Sequence, residues 1–327
     1  MNNISSSEGC FQLSRQISKK RVLTGAGTYA VHDYAMMEYD YSTTHIKAKG
    51  SLPVSVGSEQ KVLVLREGKK QYLQAYKVKV GDMVGFPIAK GEEFPQWDLD
   101  DSVKKYMEDP DFWWTVGRFM ADGWRGKDGR VFIAVGPKKL EDLDRLLKFE
   151  GTHVCNMHSC KTVTFPRAYY HDFFPQMCGN GADKKHFSEA IFKLPPAYLR
   201  QVVDGYLRGD GYYDGKGYQV HTVSRHIAID LVRAVAKAYG RPAYCYELMV
   251  KPTCTIKGKT CRRSIYDYRV KFSIEPRKRE VYNKLEDGIM WTKVISVSTP
   301  IERLKGPRVV LPDYGSTFVC NNMIMQG

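Results

Sequence analysis

Two aspartates, Asp122 and Asp210, each close a short apolar stretch with Asp-Gly, in TVGRFMADG and VDGYLRGDG. Each stretch carries two small residues four positions apart, and residues at that spacing share one face of a helix. Glycine inside a helix costs roughly 1 kcal/mol relative to alanine, so glycines on one face indicate that another backbone packs there. We expect the two stretches to be helices that pack against each other through their small faces.

Such packing would bring Asp122 and Asp210 side by side at the two helix C-termini. The helix dipole is negative at that end, and two close carboxylates repel and raise a pKa. A divalent cation beside them would remove both costs. The spacing therefore predicts a metal site where the two helices end.

Composition indicates the class of partner. The chain has 327 residues, enough for two domains or more, and a formal charge of +14. A surplus of this size favours a polyanionic partner, most often nucleic acid, over a protein that is merely basic.

Apolar runs, the first residues and the cysteines indicate the cellular compartment. No apolar run approaches the roughly 20 residues of a membrane span, and the first residues lack a signal layout. We expect a cytoplasmic protein with no membrane contact. In that compartment its eight cysteines are expected to be free thiols, and their spacing does not match that of zinc sites.

The order of elements repeats within the chain. Residues 105–180 and 190–280 each read as a helix ending in Asp-Gly, a hairpin, a second helix and a further strand. A duplication of this kind implies a pseudo-two-fold arrangement, which suits duplex DNA. The helices expected from periodicity and capping are 112–123 with Asp111 as cap, 138–149, and 227–239 ending at Gly240.

Strands dominate the two ends of the chain. Residues 10–87 show β-branched runs broken by turns, and 89–95 has the composition of a linker. The strands after Trp291 are too few to fold alone. We expect them to complete the N-terminal β block.

The middle of the chain resembles the LAGLIDADG homing endonucleases in their single-chain form. The resemblance is carried by both motif copies, by the approach KLPPAYLRQVVDGYLRGDG, and by VHTVSRHIAIDLVRAVAKAYG after the second copy. It covers roughly residues 100–285. It implies an α+β fold with two pseudo-symmetric αββαββα-type repeats, 100–185 and 186–285, in an endonuclease domain spanning 96–285.

The resemblance also implies an activity. The expected reaction is hydrolysis of one phosphodiester in each DNA strand, with Mg²⁺ held by Asp122 and Asp210 and by their neighbours Ala121 and Gly209. Mn²⁺ or Ca²⁺ is expected to replace Mg²⁺ in binding. The implied target is a site-specific duplex of roughly 20 base pairs, bound by a monomer.

Further residues follow from the same resemblance. Family members often carry a lysine near the scissile phosphate, and Lys161 and Lys271 stand in predicted strands at comparable places in the two copies. The alternative is that these lysines point to solvent or to the DNA backbone. The strands and the loop 251–264 are expected to lie in the major groove, where Arg and Gln read base edges and Lys meets phosphates. The candidate DNA contacts are Arg130, Gln219, His221, Arg225, Lys257, Lys259, Arg262, Arg263 and Arg269.

The flanks resemble an intein of the Hint fold. Cys10 stands where an intein begins, GSEQKV followed by YKVKVGDMV resembles the second splicing block, and STFVCNNMIMQG resembles the closing blocks. The resemblance implies an all-β Hint-like domain formed by residues 10–95 and 286–327. Residues 1–9 would then be a flexible leader or the remnant of an extein host protein.

The splicing residues themselves are altered. Gln60 stands where the family has its block histidine, and Gln326 and Gly327 stand where it has His-Asn. Without the terminal asparagine there is no side-chain amide to cyclise, and without the histidines little proton transfer activates the first scissile bond. We expect a splicing-deficient scaffold, unless the C-terminal register is shifted or the true ending lies beyond Gly327.

Two other functions remain open at this point. A splicing element with a dead nuclease would show Cys10-dependent self-cleavage and would not cut DNA. A non-cleaving DNA-binding or maturase-like module often loses one of the two aspartates, and this chain has both. A phosphate-loop ATPase is disfavoured, because SRQISKK lacks the Gly-Lys-Ser/Thr that cradles phosphate.

Overall fold

A computed structural model places helices in the middle of the chain and strands throughout it, in an α+β fold. The structure describes residues 3–6, 9–12, 20–32, 35–95, 100–157, 159–256, 259–262, 264–275, 283–299, 303–310, 317–320 and 323–326. No described helix has the length and apolar character that a membrane crossing requires.

The elements fall into an N-terminal, a central and a C-terminal group. The N-terminal strands are β1 (Asn3–Ser6), β2 (Gly9–Gln12), β3 (Lys20–Leu23), β4 (Tyr29–His32), β5 (Ala35–Ala48), β6 (Val54–Gly57), β7 (Lys61–Arg66), β8 (Lys69–Gln74) and β9 (Met83–Pro87), with a 3₁₀ turn at Ala75–Lys77. The C-terminal strands are β20 (Asn283–Glu286), β21 (Ile289–Ser298), β22 (Arg303–Val310), β23 (Thr317–Cys320) and β24 (Met323–Gln326).

The central group covers the residues of the predicted repeats. Its first half comprises α1 (Asp101–Lys104), α2 (Pro110–Asp122), β10 (Gly123–Arg125), β11 (Val131–Val135), a 3₁₀ segment (Pro137–Asp142), α3 (Leu143–Leu146), β12 (His153–Met157), β13 (Cys160–Phe165), α4 (Arg167–Tyr170) and α5 (Phe173–Cys178). Its second half comprises α6 (Glu189–Lys193), α7 (Pro196–Asp210), β14 (Gly211–Tyr213), β15 (Tyr218–Thr222), α8 (Arg225–Tyr239), β16 (Ala243–Met249), β17 (Thr253–Ile256), β18 (Lys259–Arg262) and β19 (Tyr266–Phe272).

Both motif helices run to their aspartate and pass directly into a strand. At the start of α2 the cap is Asp109, whose carboxylate accepts from the Asp111 amide at 2.8 Å. The expected cap at Asp111 is therefore wrong by two residues, because Pro110 takes the first helical position, where its missing N–H costs nothing. Pro196 plays the same part in α7.

The expected continuous helix over 138–149 is wrong. A 3₁₀ segment and the one-turn α3 replace it, and Lys139 leaves the helical region with φ −132°. The apolar periodicity survives in Leu143 and Leu146, which are buried. Strand β12 was not predicted from the sequence, because its residues are mostly exposed and lack the apolar alternation of a half-buried strand.

Each motif helix leads into a four-stranded antiparallel sheet. The strand orders are β10-β11-β13-β12 after α2 and β14-β15-β19-β16 after α7. In each sheet the first strand of the chain lies at one edge and the third at the other. One face of each sheet, here called the inner face, carries the buried residues Ile133 and Val163 in the first sheet and Val220 and Val270 in the second.

The two ends of the chain build one sheet that links fourteen of the described strands. Strand β24 pairs with β7, and β23 pairs with β1. The expectation that the C-terminal strands complete the N-terminal block is confirmed. Residues 3–6, expected within a flexible leader, instead form β1, which pairs with β2, β3 and β23.

Candidate active site and nucleic-acid interface

Helices α2 and α7 touch backbone to backbone through their small residues. A methyl group added at Gly117 would lie 2.0 Å from the Val202 carbonyl oxygen, and one added at Gly205 would lie 2.0 Å from the Trp114 carbonyl oxygen. No side chain larger than hydrogen fits at either place. The helix contact expected from the glycine spacing is confirmed.

This contact brings the two aspartates to one place. A methyl group at Gly209, the residue before Asp210, would lie 2.1 Å from the Ala121 Cβ and 3.1 Å from the Asp122 Oδ2. Asp210 is exposed to solvent by surface area, yet many protein atoms lie close to its carboxyl group and displace part of its hydration. This desolvation, followed by the negative charge of Asp122, raises the pKa of Asp210 to about 6.

Asp122 has a cationic partner inside the protein. The Arg118 side chain is fully buried, and its Nη1 donates to the Asp122 Oδ2 at 2.6 Å. Its Nη2 donates to the Ala134 carbonyl oxygen at 3.2 Å. Its Nε lies 3.4 Å from the Oδ2 of Asp142, another buried carboxylate. The sequence reasoning missed this arginine, although its position four residues before Asp122 was a usable signal.

Two lysines cap the C-termini of the motif helices. The Lys185 Nζ donates to the carbonyl oxygens of Phe119 and Gly123 at 2.7 Å each and lies 3.5 Å from that of Ala121. The Lys139 Nζ donates to the Gly209 carbonyl oxygen at 2.6 Å. Burial lowers the pKa of Lys185 to about 8, against the opposing charges of Cys178, Asp210 and Asp122.

Neither lysine was predicted from the sequence. Both lie in connections far from the motif they cap, and nothing local in those connections marks them. Their position at negative helix ends is electrostatically favourable. They also contact the backbone oxygens of the two residues expected as further metal neighbours, Ala121 and Gly209.

The donor set fits one kind of cation. Within the described part of the chain, no group of three or more His, Cys, Asp or Glu side chains is arranged to hold a metal. What the site offers is two carboxylates and the backbone oxygens beside them. Hard oxygen donors in this small number suit a divalent ion such as Mg²⁺ that keeps most of its waters. The unfavourable charge at Asp210 is the cost that such an ion would remove.

The two strand lysines are not at comparable places, which corrects that expectation. Lys161 pairs with Val135 and Asn156 in β13, two residues from Val163, so it shares the inner face. Lys271 follows Val270 directly in β19 and therefore lies on the opposite, outer face. The similar sequence surroundings, CKTVTF and RVKFS, hide a difference of register that reverses the face.

The outer face of the second sheet is polar, aromatic and cationic. One cross-strand row consists of Tyr212, Gln219, Lys271 and Tyr244, and the next of His221, Arg269 and Tyr246. The Gln219 Nε2 lies 2.6 Å from the His221 Nε2, and the His221 Nδ1 lies 3.0 Å from the Asp267 Oδ2. The guanidinium of Arg269 lies 5.7 Å from the centre of the Tyr246 ring. Three of the predicted contacts thus share one surface with Lys271.

The remaining predicted contacts are dispersed. Arg130 is exposed, forms an ion pair with Asp128 at 2.7 Å and lies over the Phe132 ring. Arg225 contacts the inner-face residue Glu247 at 3.1 Å with its side chain 11% exposed, so it does not belong to the outer surface. Strand β18 contains Lys259 and Arg262 and pairs antiparallel with β17, and both strands lie within the expected loop 251–264. Lys257 and Arg263 lie outside the described residues.

Two of the four predicted splicing-like positions are in contact. The Gln60 Nε2 donates to the carbonyl oxygen of Gln326, so the two glutamines that replace expected family residues are in contact. Cys10 pairs with Ser5 in the β1–β2 hairpin. Gly327 lies outside the described residues.

No family model and no curated protein matches the chain. Among solved structures, the chain is similar to several of the homing endonuclease I-DmoI. A complex with DNA and Ca is 11% identical with a TM-score of 0.34, over 50% of this chain and 83% of that chain. A complex with DNA and Mn is 12% identical with a TM-score of 0.31, over 50% and 90% of the two chains. Mesophilic variants are 12% identical with a TM-score of 0.33, over 50% and 89%. These values describe a distant similarity limited to half of the chain.

Proposed function

We propose that this protein is a site-specific endonuclease that hydrolyses one phosphodiester in each strand of duplex DNA with divalent metal ions. The observation that carries the proposal is the meeting of Asp122 and Asp210 at the ends of two helices in backbone contact. Partial desolvation by nearby protein atoms and the like charge of Asp122 raise the pKa of Asp210 to about 6. Such an arrangement is costly to folding and is typical of a functional site.

Asp122 and Asp210 would hold the metal, with the backbone oxygens of Ala121 and Gly209 beside them. A divalent ion bound there supplies an activated water and stabilises the leaving 3′ oxygen. Lys185 contributes a group whose pKa of about 8 lets it accept or donate a proton near neutral pH. Lys139 adds positive charge beside Asp210, where the phosphate must approach.

Duplex DNA is the proposed partner. The formal charge of +14 supports a polyanion. The outer face around Lys271, Gln219 and Arg269 combines a cation with side chains that read base edges. A protein of one chain with two motif copies needs no second subunit to reach both strands, so we propose a monomer.

We further propose that the β block is a Hint-like scaffold that no longer splices. The pairing of β24 with β7 and of β23 with β1 supports a single block from both ends of the chain. Gln60 and Gln326, which contact each other, offer amides where proton transfer would need titratable groups. On this proposal the purified chain stays intact when a thiol is added, and a fragment released at Cys10 would contradict it.

A non-cleaving DNA-binding module is the second candidate. It is favoured by the cations that already contact the site: Arg118 on Asp122, Lys139 on the Gly209 oxygen and Lys185 near the Ala121 oxygen. In such a module these cations would permanently neutralise the negative charge at the C-termini of α2 and α7, and no metal would be needed.

The test is a cleavage-site selection. A plasmid library of randomised or genomic inserts is incubated with the full chain and Mg²⁺, and the ends of linear products are sequenced. We expect one family of sites, no cleavage with a chelator, and no double-strand cleavage by Asp210→Asn despite retained binding. Asp204→Asn is the matched control, because Asp204 lies on the same helix and accepts from the Tyr239 hydroxyl away from the site. Binding without cleavage by the unmodified chain would select the second candidate.

A further inference from the structure

The two copies of the motif differ at the position four residues before the aspartate. Arg118 occupies it in α2, and Tyr206 occupies it in α7. Both side chains are completely buried. One turn of helix places each of them on the same face as its aspartate. The chain therefore supplies a fixed cation to Asp122, whereas the buried Tyr206 hydroxyl has no hydrogen-bond partner among the described residues.

Arg118 is held in place by more than Asp122. Asp142, 4% exposed, lies 3.4 Å from the Arg118 Nε through its Oδ2, and its Oδ1 accepts from the Arg208 Nε at 2.8 Å. Arg208 belongs to α7 and also pairs with Glu141. Alternating anionic and cationic side chains thus link α2 to α7 and hold the Arg118 guanidinium in place.

The second helix is shaped to admit this pair. A methyl group at Gly209 would lie 2.5 Å from the Arg118 Nη1 and 3.1 Å from the Asp122 Oδ2. Gly209 therefore gives room to the Arg118–Asp122 contact. In the described residues, Asp210 has no comparable ion pair: the nearest lysine hydrogen bond, from Lys139, goes to the Gly209 carbonyl oxygen.

We propose that Arg118 is a positioning residue that makes the two metal centres unequal, so that a divalent ion occupies the Asp210 centre first and the strand served by Asp210 is cut first. The proposal rests on the proposed function for its second half alone. The physical reason is competition: an ion at Asp122 must share the carboxylate with a guanidinium that already occupies Oδ2 and cannot withdraw. An ion at Asp210 meets a carboxylate with no bound cation.

The direct test needs no DNA. Mg²⁺ is titrated into the metal-free full chain, and the ¹³C resonances of the Asp122 and Asp210 carboxyl groups are followed, with Asp122→Asn and Asp210→Asn providing the assignment. We expect Asp210 to respond at lower Mg²⁺ than Asp122 in the unmodified protein. In Arg118→Met, the Mg²⁺ concentration at which the Asp122 resonance has shifted halfway (its midpoint) should fall about tenfold. This is the effect expected when one unit of positive charge is removed nearby.

Two further variants separate charge from structure. Arg118→Lys keeps the charge, so the Asp122 midpoint should stay near its original value. Arg145→Met removes another arginine paired with an aspartate of α2, Asp111 at 2.6 Å, and should leave both midpoints unchanged. Equal midpoints for Asp122 and Asp210 in the unmodified protein would overturn the proposal, and so would an Arg118→Met protein whose Asp122 midpoint is unchanged.

Cleavage gives the second readout. On a plasmid carrying the selected site, limiting Mg²⁺ should accumulate nicked circles with the original protein, and Arg118→Met should shorten the life of that intermediate. If no cleavage occurs while the Mg²⁺ order holds, the proposed function fails and the inequality of the centres stands. If both strands are cut together, the function stands and this inference fails.

Discussion

The C-terminal ends of α2 and α7 have the same backbone plan and different charge environments. Each helix ends in an aspartate, each is followed by a strand, and each has a lysine on its last carbonyl oxygens. Asp122, however, is bound to the buried Arg118, whereas Asp210 has a pKa raised to about 6. The two helix ends thus share a backbone plan but not an electrostatic environment.

This difference follows from what each feature requires. The helix contact needs the absence of side chains at Gly117 and Gly205, and no other residue type meets that need. The environment of the carboxylates depends on the residue four positions before each aspartate, Arg118 or Tyr206. It also depends on side chains that arrive from connecting segments, such as Asp142 and Lys185. Those segments differ between the halves, so the charges around the two aspartates differ too.

Breaking the contact that the halves share should have the largest effect. Gly117→Ala would push a methyl group against the Val202 carbonyl oxygen at 2.0 Å, and rigid backbone cannot yield. We expect the free energy of unfolding to fall by about 3 kcal/mol or more, at the severe end of overpacking. Urea denaturation followed by tryptophan fluorescence measures it.

Gly136→Ala is the control for this substitution. Gly136 has φ −67°, and an added methyl group there meets nothing within 4 Å. Its stability should remain within about 1 kcal/mol of the original. Equal losses at Gly117 and Gly136 would mean that the helices are not in backbone contact.

The same contrast explains which features of the fold and the site could be predicted from the sequence. Gly117 and Gly205 predict the helix contact, because glycine inside a helix is costly and needs a reason to be there. Both stand at comparable distances before an Asp-Gly pair. The end of α8 at Gly240 follows from local chemistry, and the place of the C-terminal strands follows from their need for pairing partners. The register that separates Lys161 from Lys271 could not be read, because one residue of shift reverses a strand's faces and the local sequence looks the same. Lys139 and Lys185 could not be read because their partners are backbone oxygens, which leave no trace in sequence.

Removing each carboxylate in turn tests whether the environments of Asp122 and Asp210 differ in their effect on stability. Asp122→Asn leaves the buried Arg118 facing a neutral amide, with Asp142 as its remaining anion. We expect a loss of about 1–2 kcal/mol in metal-free protein, less than for a buried charge left with no partner. Asp210→Asn should be neutral or stabilising at pH 7.5.

The sign for Asp210 follows from its raised pKa. Ionising this group costs more in the folded than in the unfolded chain, and at pH 7.5, above its folded pKa of about 6, that cost is fully present. An amide removes it. Denaturation of both variants at pH 7.5 and pH 5 measures the difference: the gain from Asp210→Asn should shrink at pH 5, where the original carboxyl group is largely protonated. A larger loss for Asp210→Asn than for Asp122→Asn would reverse the assignment of the two environments.

The smallest expected effect distinguishes the faces of the two sheets. Lys271 lies on the outer face between Gln219 and Tyr244, whereas Lys161 lies on the inner face beside Val135. If Lys271 meets a DNA phosphate, Lys271→Ala removes one released counterion, and the slope of log K against log salt should fall in magnitude by about 0.9. Lys161→Ala should leave the slope unchanged, since an inner-face ammonium cannot reach a duplex held against the outer face. Binding to the selected site, measured at several salt concentrations with Ca²⁺ in place of Mg²⁺, separates these outcomes. A changed slope for Lys161→Ala with an unchanged slope for Lys271→Ala would place the DNA on the other face, and the roles proposed for Gln219 and Arg269 would then fail with it.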